Sequence, residues 1–331
     1  MNRRFRTTAA LLVGALTICI AAGAASAAEK VYMLKISTSQ TDQAMITKSY
    51  QKLADRLKKD SKGRLEVTVF PSSQLGSDED VIEQAIQGDA VAVNTDAARM
   101  GTYVKDMGIL MMGFFADNYN ECNKITQTKK FQAWEAELAK KHGIKVLAFN
   151  FYDGPRHFLT NKEVKSPKDL KGLRIRTIGS PVCTESIAAM GATPVAMPWS
   201  EVYNGIQSKA LDGCEAQNTS TLPSRLYEVT KYQTKTGHFQ LLQGLICGEK
   251  WFSSLPKDLQ ELFIKDARIV GAETAKEVIA EADKAEKAMQ KSGLKVVKPD
   301  MAAFKKAIEP AYKKLGYDKL RTELYKEIGK K

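Results

Sequence analysis

The chain has 331 residues, with 50 Lys and Arg against 38 Asp and Glu, a formal net charge of +12. That length can bury a large core but exceeds what one core usually organises, so two domains are expected. The basic excess does not mark a nucleic-acid binder, because Lys48, Lys58, Lys129, Lys140, Lys276 and Lys287 are scattered over helical faces and no basic block interleaved with aromatics occurs.

Residues 1–27 read as a targeting segment. Arg3, Arg4 and Arg6 form a positive start, residues 9–22 an apolar run, and Ala25-Ser26-Ala27 a small-residue cleavage site. The run is too short for a comfortable transmembrane span, and no other stretch is apolar enough to cross a bilayer. Cleavage would leave 304 of the 331 residues as a soluble protein exported to the periplasm, with the formal charge lowered from +12 to +9 by the loss of three arginines. Export permits disulfides, and Cys122, Cys183, Cys214 and Cys247 allow three full pairings or four free buried thiols. Their spacing fits no zinc site, and there is no Cys-x-x-Cys.

A first strand is expected over 31–38 and a helix over 41–59, with Met45, Tyr50, Leu53, Ala54 and Leu57 on one face. A second strand spans 65–70. Ser77-Asp78-Glu79-Asp80 then cap a helix that ends at Gly88-Asp89, and a buried strand follows over 90–94. The apolar run at 108–115 reads as core packing. A helix over 119–142 and a strand over 145–151 complete a first domain of about 120 residues. Residues 152–156 should carry the chain into the second domain. Within 170–217, strand and helix patterns alternate at the pitch of βαβ units and a mostly parallel sheet. Arg176 falls at a strand end just before a helix N-terminus, where open α/β sheets bind ligands. Strands are expected over 227–248, a long helix over 257–291 opened by Pro256, then one strand and two helices.

Several of these segments carry a resemblance. Residues 172–176, Gly191-Ala192-Thr193-Pro194, residues 198–203 and Asp212-Gly213-Cys214-Glu215 occur in the order and form found in substrate-binding proteins of tripartite ATP-independent periplasmic (TRAP) transporters. Residues 70–76, Gly88-Asp89, Gly154-Pro155-Arg156, Leu226-Tyr227-Glu228-Val229 and His238 match as well, so the resemblance covers nearly all of the chain after residue 27. It implies an α/β, two-domain clamp with mixed sheets flanked by helices and a long C-terminal helix spanning both domains. The domains would be 28–153 with about 242–281, and 154–241 with about 282–331.

The resemblance also implies a function: capture of a carboxylate-containing organic acid and its delivery to membrane permease subunits, by a monomer without cofactor or metal. Arg176 would clamp the carboxylate, since a guanidinium presents a planar fork that grips it bidentately. Arg156 would be a second contact and Trp199 an aromatic wall. Ser39, Asp96 and Arg99 fall at first-domain contact positions, where Asp96 would repel a carboxylate unless it meets a hydroxyl or an ammonium. Ala216 stands where sialic-acid-binding members have asparagine, which argues against sialic acid and for a roomier site. Trp199, Phe114, Phe115 and Tyr152 would then suit an acid with an apolar body. A binding protein for an ABC transporter or a periplasmic sensor is the alternative. An exported hydrolase lacks support: there is no Gly-x-Ser-x-Gly elbow and no His-Glu-x-x-His pair, and His142, His157 and His238 read as structural.

Overall fold

The computed structural model of the protein describes residues 29–330, and the expected targeting segment lies outside the described residues. The fold starts as βα units. Strand β1 (Tyr32–Ser37) precedes α1 (Met45–Asp60), whose Ile46, Tyr50, Leu53 and Leu57 recur at helical spacing and are buried. Strand β2 (Leu65–Phe70) leads to α2 (Asp78–Gln87), opened by a capping box between Ser77 and Asp80 and closed by Gly88 at φ +103°. Strand β3 (Val91–Asp96) is wholly buried and runs directly into α3 (Ala97–Met100). The single helix expected over 119–142 is two, α4 (Tyr119–Thr126) and α5 (Lys129–His142). The Thr128 side chain accepts a hydrogen bond from the Phe131 N–H and starts a new helix.

Strand β4 (Ile144–Thr160) runs through the point where a domain crossing was expected. Gly154 and Pro155 stay paired with β8, because register breaks between Tyr152 and Gly154 and between Arg156 and Phe158 absorb them. Then come β5 (Arg174–Thr177), α6 (Pro181–Ala189), β6 (Thr193–Ala196), α7 (Val202–Gln207), β7 (Gly213–Gln217) and α8 (Asn218–Thr221). Strand β8 (Tyr232–Gly248) is a second 17-residue strand. It is followed by α9 (Glu249–Ser253), α10 (Lys257–Lys291), β9 (Lys295–Val297), α11 (Met301–Leu315) and α12 (Asp318–Ile328). Helix α10 has the limits expected from its composition and Pro256.

The strands of the described residues form one mixed sheet in the order β2-β1-β3-β8-β4-β7-β5-β6, with β9 on β8. The parallel βαβ pattern expected over 170–217 is found there, where β5 pairs β6 and β7, and parallel pairing recurs on the other flank, where β1 pairs β2 and β3, within a sheet that is mixed as a whole. Its middle is antiparallel. β8 and β4 pair with each other from Ile144 opposite Gly248 to Thr160 opposite Tyr232, and they bind β3 and β7 antiparallel as well. Local periodicity reports the flanking βα units; the pairing of two distant strands is a tertiary fact that no local window contains.

Helix α10 ties the two flanks together. Phe263, Ala267 and Val270 pack with Leu34, Tyr50 and Leu53 over one flank, while Met289 enters a separate cluster with Leu159, Val202, Ile206 and Leu211 over the other. Cys122, Cys183, Cys214 and Cys247 are free and buried.

Candidate functional site

A cavity of about 320 Å³, open space at its mouth included, lies where β1, β3 and β5 end beside the middle of β4 and β8. Each element delivers a side chain. Ser39 and Gln40 follow β1, Asp78 is the first residue of α2, Asp96 ends β3, and Arg99 lies in the single turn of α3 that Asp96 caps. Arg156 comes from β4, Arg176 from β5, Ile178 and Trp199 from the loops after β5 and β6, and Leu241 and Gln243 from β8. Strand ends leave backbone and side chains pointing into a crevice rather than a sheet face, which is why so many polar groups converge here.

Three arginines meet at this cavity in three different electrostatic states. Arg99 is saturated with carboxylates: it contacts Asp96, Glu79 at 2.7 Å and Asp78 at 3.2 Å. Burial alone would lower its pKa, but Asp96, Asp78 and Glu79 together hold it above the ordinary guanidinium value. Asp78 in turn has its pKa raised, chiefly by burial and against the pull of Arg99.

Arg156 is matched one to one. Its Nε donates to the Glu215 carboxylate, Nη2 to the Glu215 carbonyl at 2.6 Å and Nη1 to Gln217 Oε1 at 3.0 Å. Glu215 is fully buried and also accepts from Thr177 Oγ1 at 2.9 Å. Behind this pair, Gln217 Nε2 donates to Asp153, which further accepts from Thr219 and Ser220. Burial raises the Asp153 pKa to about 6, although Gln217, Thr219, Ser220 and Arg156 all oppose that shift.

Arg176 differs from both. Its side chain is 2% exposed, its Nε donates to the Met197 carbonyl at 2.8 Å, and its guanidinium lies 5.5 Å from the Trp199 ring centre. Among the described residues it forms no salt bridge with any carboxylate. Burial, reinforced by the like charge of Arg156, pushes its pKa down to about 10, so it stays charged at neutral pH.

Of the residues singled out in the sequence, Ser39, Asp96, Arg99, Arg156, Arg176 and Trp199 border this cavity, and Asp96 shares Arg99 with Asp78 and Glu79, three carboxylates around one cation. Four residues do not border it: Tyr152, Phe114, Phe115 and Ala216. Tyr152 lies beyond the register break at Gly154, donates to Gln240 Oε1 at 2.6 Å and faces Tyr119 in a separate depression. Phe114 is packed against the large core, with its N–H on the His238 carbonyl at 2.7 Å. Ala216 points the other way: because β7 alternates, Glu215 and Gln217 face Arg156 while Cys214 and Ala216 enter the cluster around Leu159 and Val202. Alanine there opens no room in the cavity, and the aromatic enlargement expected from Phe114, Phe115 and Tyr152 is absent from its lining.

Gln40, Asp78 and Gln243 were not anticipated. In sequence Asp78 shows only as a helix-opening acid. Gln243 did leave a signal, as a lone amide inside the apolar run Leu241-Leu242-Gln243-Gly244-Leu245. His157 and His238 are buried: His157 Nδ1 accepts from the Gly237 N–H at 3.0 Å and His238 Nδ1 pairs with Thr236 Oγ1 at 2.7 Å, while His238 Nε2 has no partner among the described residues.

Residues 36–319 match the family described as bacterial extracellular solute-binding protein, family 7. The chain is 26% identical over 290 residues to the sialic acid-binding periplasmic protein of Vibrio cholerae, covering 88% of this chain and 90% of that one. Among solved structures it is similar to a TRAP periplasmic solute binding protein from Ochrobacterium anthropi with bound L-fuconate, with a TM-score of 0.87 and 28% identity over 90% of this chain and 99% of that chain. It is also similar to one from Fusobacterium nucleatum with bound sn-glycerol-3-phosphate, with a TM-score of 0.83 and 25% identity over 90% of this chain and all of that one. The α/β architecture with its long helix is the two-domain clamp of these proteins. The chain belongs to the family 7 bacterial extracellular solute-binding proteins, the substrate-binding components of TRAP transporters.

Proposed function

We propose that this protein captures a small organic acid outside the cytoplasm by pairing the acid's carboxylate with Arg176, and hands it to membrane permease subunits without converting it. The observation that carries the reading is the state of Arg176. Removing a guanidinium from water costs several kcal/mol unless an anion compensates it. Arg99 and Arg156 have their carboxylates in place; Arg176 has only a carbonyl and the face of an aromatic ring. A ligand carboxylate is the partner that completes it, and Trp199 beside it limits access to water. The fuconate and sialic acid of the relatives' names carry such a group.

The clamp has its domains at 28–153 with about 242–281, and at 154–241 with about 282–331. Ser39, Gln40, Asp78, Asp96, Arg99 and Gln243 then belong to the first wall, and Arg156, Arg176 and Trp199 to the second. The hinge is the stretch of β4 and β8 around the register breaks at Gly154 and Arg156, where a twisted ribbon bends without losing its pairing. A targeting segment at 1–27 delivers the protein to the periplasm, where it works as a monomer and binds no nucleic acid. Surface lysines such as Lys52, Lys130 and Lys314 are paired with carboxylates rather than gathered into a basic face.

Titration calorimetry on the purified protein with a panel of organic acids tests this. Binding should be lost in Arg176→Ala, and the acid should be recovered unchanged after prolonged incubation. Undiminished affinity in the variant, or consumption of the acid, would refute it.

A further inference from the structure

Two carboxamides at the cavity have no partner. Gln40 and Gln243 are both 6% exposed, and neither side-chain oxygen accepts a hydrogen bond from the described residues. Gln40 is held in place through its backbone: its N–H donates to Thr38 Oγ1 at 3.2 Å and its carbonyl accepts from the Ser72 N–H at 2.8 Å. Thr38 Oγ1 is also approached by Asn94, which in turn accepts from Tyr50 at 2.6 Å. Gln243 is fixed as firmly, by pairing with Asp96 on β3 and with Phe151 on β4. Both amides are therefore positioned by the fold, and of the unpartnered buried side-chain atoms among the described residues theirs are the ones that border the cavity, where a ligand can reach them.

The charges near them restrict what can fill the gap. One cation, Arg176, lacks an anion; Arg99 and Arg156 are already matched. A second negative group on the ligand would find no free cation. On the first-domain wall it would meet the carboxylates of Asp78 and Asp96 instead. An amide needs both a donor and an acceptor, and a hydroxyl offers both whichever way the amide is turned. A carboxylate or phosphate oxygen only accepts, and a methylene does neither.

We infer that the ligand is a monoanionic polyhydroxy acid, held by its one carboxylate at Arg176 and by hydroxyls at Gln40 and Gln243, which set specificity. This rests on the carboxylate capture proposed above and goes beyond it, because the acids and the phosphate ester bound by the relatives leave the class open. Unsatisfied amides reject an analogue that lacks the hydroxyl, since they would stay buried and unpaired. The same wall rejects dianions by charge.

The experiment is calorimetric titration of the purified protein with a panel of six-carbon aldonates and uronates, with hexanoate, with succinate and with sn-glycerol 3-phosphate. At least one hydroxylated monocarboxylate should bind about a hundredfold or more tighter than hexanoate, succinate or the phosphate ester. Gln40→Leu and Gln243→Leu, whose folding is checked by their melting temperatures, should each narrow the ratio between the hydroxylated acid and hexanoate about tenfold or more. Tighter binding of succinate, of the phosphate ester or of hexanoate overturns the assignment, as does failure of every hydroxylated acid to bind. So do glutamine variants that weaken all ligands equally. If an acid binds but Arg176→Ala leaves it bound, the carboxylate capture fails instead, and the two failures are told apart.

Discussion

Replacing Arg176 by methionine should separate stability from binding. In the ligand-free protein the buried guanidinium sits near pKa 10 rather than at its ordinary 12.5, which corresponds to about 3 kcal/mol of destabilisation carried by the charged form. Methionine fills similar space without a charge. Against that gain stand the hydrogen bond to the Met197 carbonyl, about 1 kcal/mol, and the contact with Trp199, another ~0.5–1 kcal/mol. The ligand-free variant should thus be at least as stable as the wild type, by up to about 2 kcal/mol, or roughly 4 °C in Tm for a chain of this size. Ligand affinity should move the other way, by about 2–5 kcal/mol, because the carboxylate would be buried without a cation. The assay is urea unfolding and scanning calorimetry on protein refolded from denaturant to strip any carried-over ligand, with and without the acid. A ligand-free variant destabilised by more than about 2 kcal/mol that still gains Tm with ligand would show that Arg176 is structural, and the reasoning would fail.

Three further outcomes are expected. Glu215→Gln keeps the shape of the buried partner of Arg156 but removes its charge, and should lower the ligand-free unfolding free energy in urea by about 3 kcal/mol. Asp153 titrates near 6 in the fold against about 3.9 when unfolded, so the folded state holds that proton more tightly and ionisation works against folding. Its contribution to stability therefore falls as pH rises from about 4 to 6, by up to about 3 kcal/mol; the difference between wild type and Asp153→Asn should change by that amount across this window in pH-dependent unfolding, and a constant difference would contradict the assignment. Gly248→Ala places a Cβ 1.9 Å from the Ala85 carbonyl oxygen, and should lose about 3 kcal/mol or more in the same urea assay, since backbone on both sides must shift.

The outer parts of this fold could be read from sequence because their signals are local. The Ser77 capping box, Gly88, Pro256 and the apolar face of α1 each fix an element within a few residues of themselves. The middle could not be read that way. The pairing of β4 with β8 joins residues from 72 apart, Thr160 with Tyr232, to 104 apart, Ile144 with Gly248, and the strand continues through Gly154-Pro155, where a crossing between domains was expected. The same distinction holds in the site. Arg156, Arg176 and Trp199 stand in motifs with a fixed place relative to strand ends. Which neighbours share a face with them depends on strand alternation and irregularities, so Tyr152, four residues before Arg156, and Ala216, next to Glu215 that pairs with Arg156, turn away from the cavity, while Gln40, Asp78 and Gln243 are brought to it.

The pairing of β3 with β8 has a consequence for the order in which the chain can fold. Asp96 meets Gln243, and Ala92 meets Cys247, so the N-terminal flank stays an open three-stranded edge until nearly three quarters of the polypeptide has emerged. Contacts closed over so long a loop form late, after their entropic cost has been met by many others. A chain of this design cannot complete its central sheet, or the charge-bearing cavity beside it, until its last third has been made.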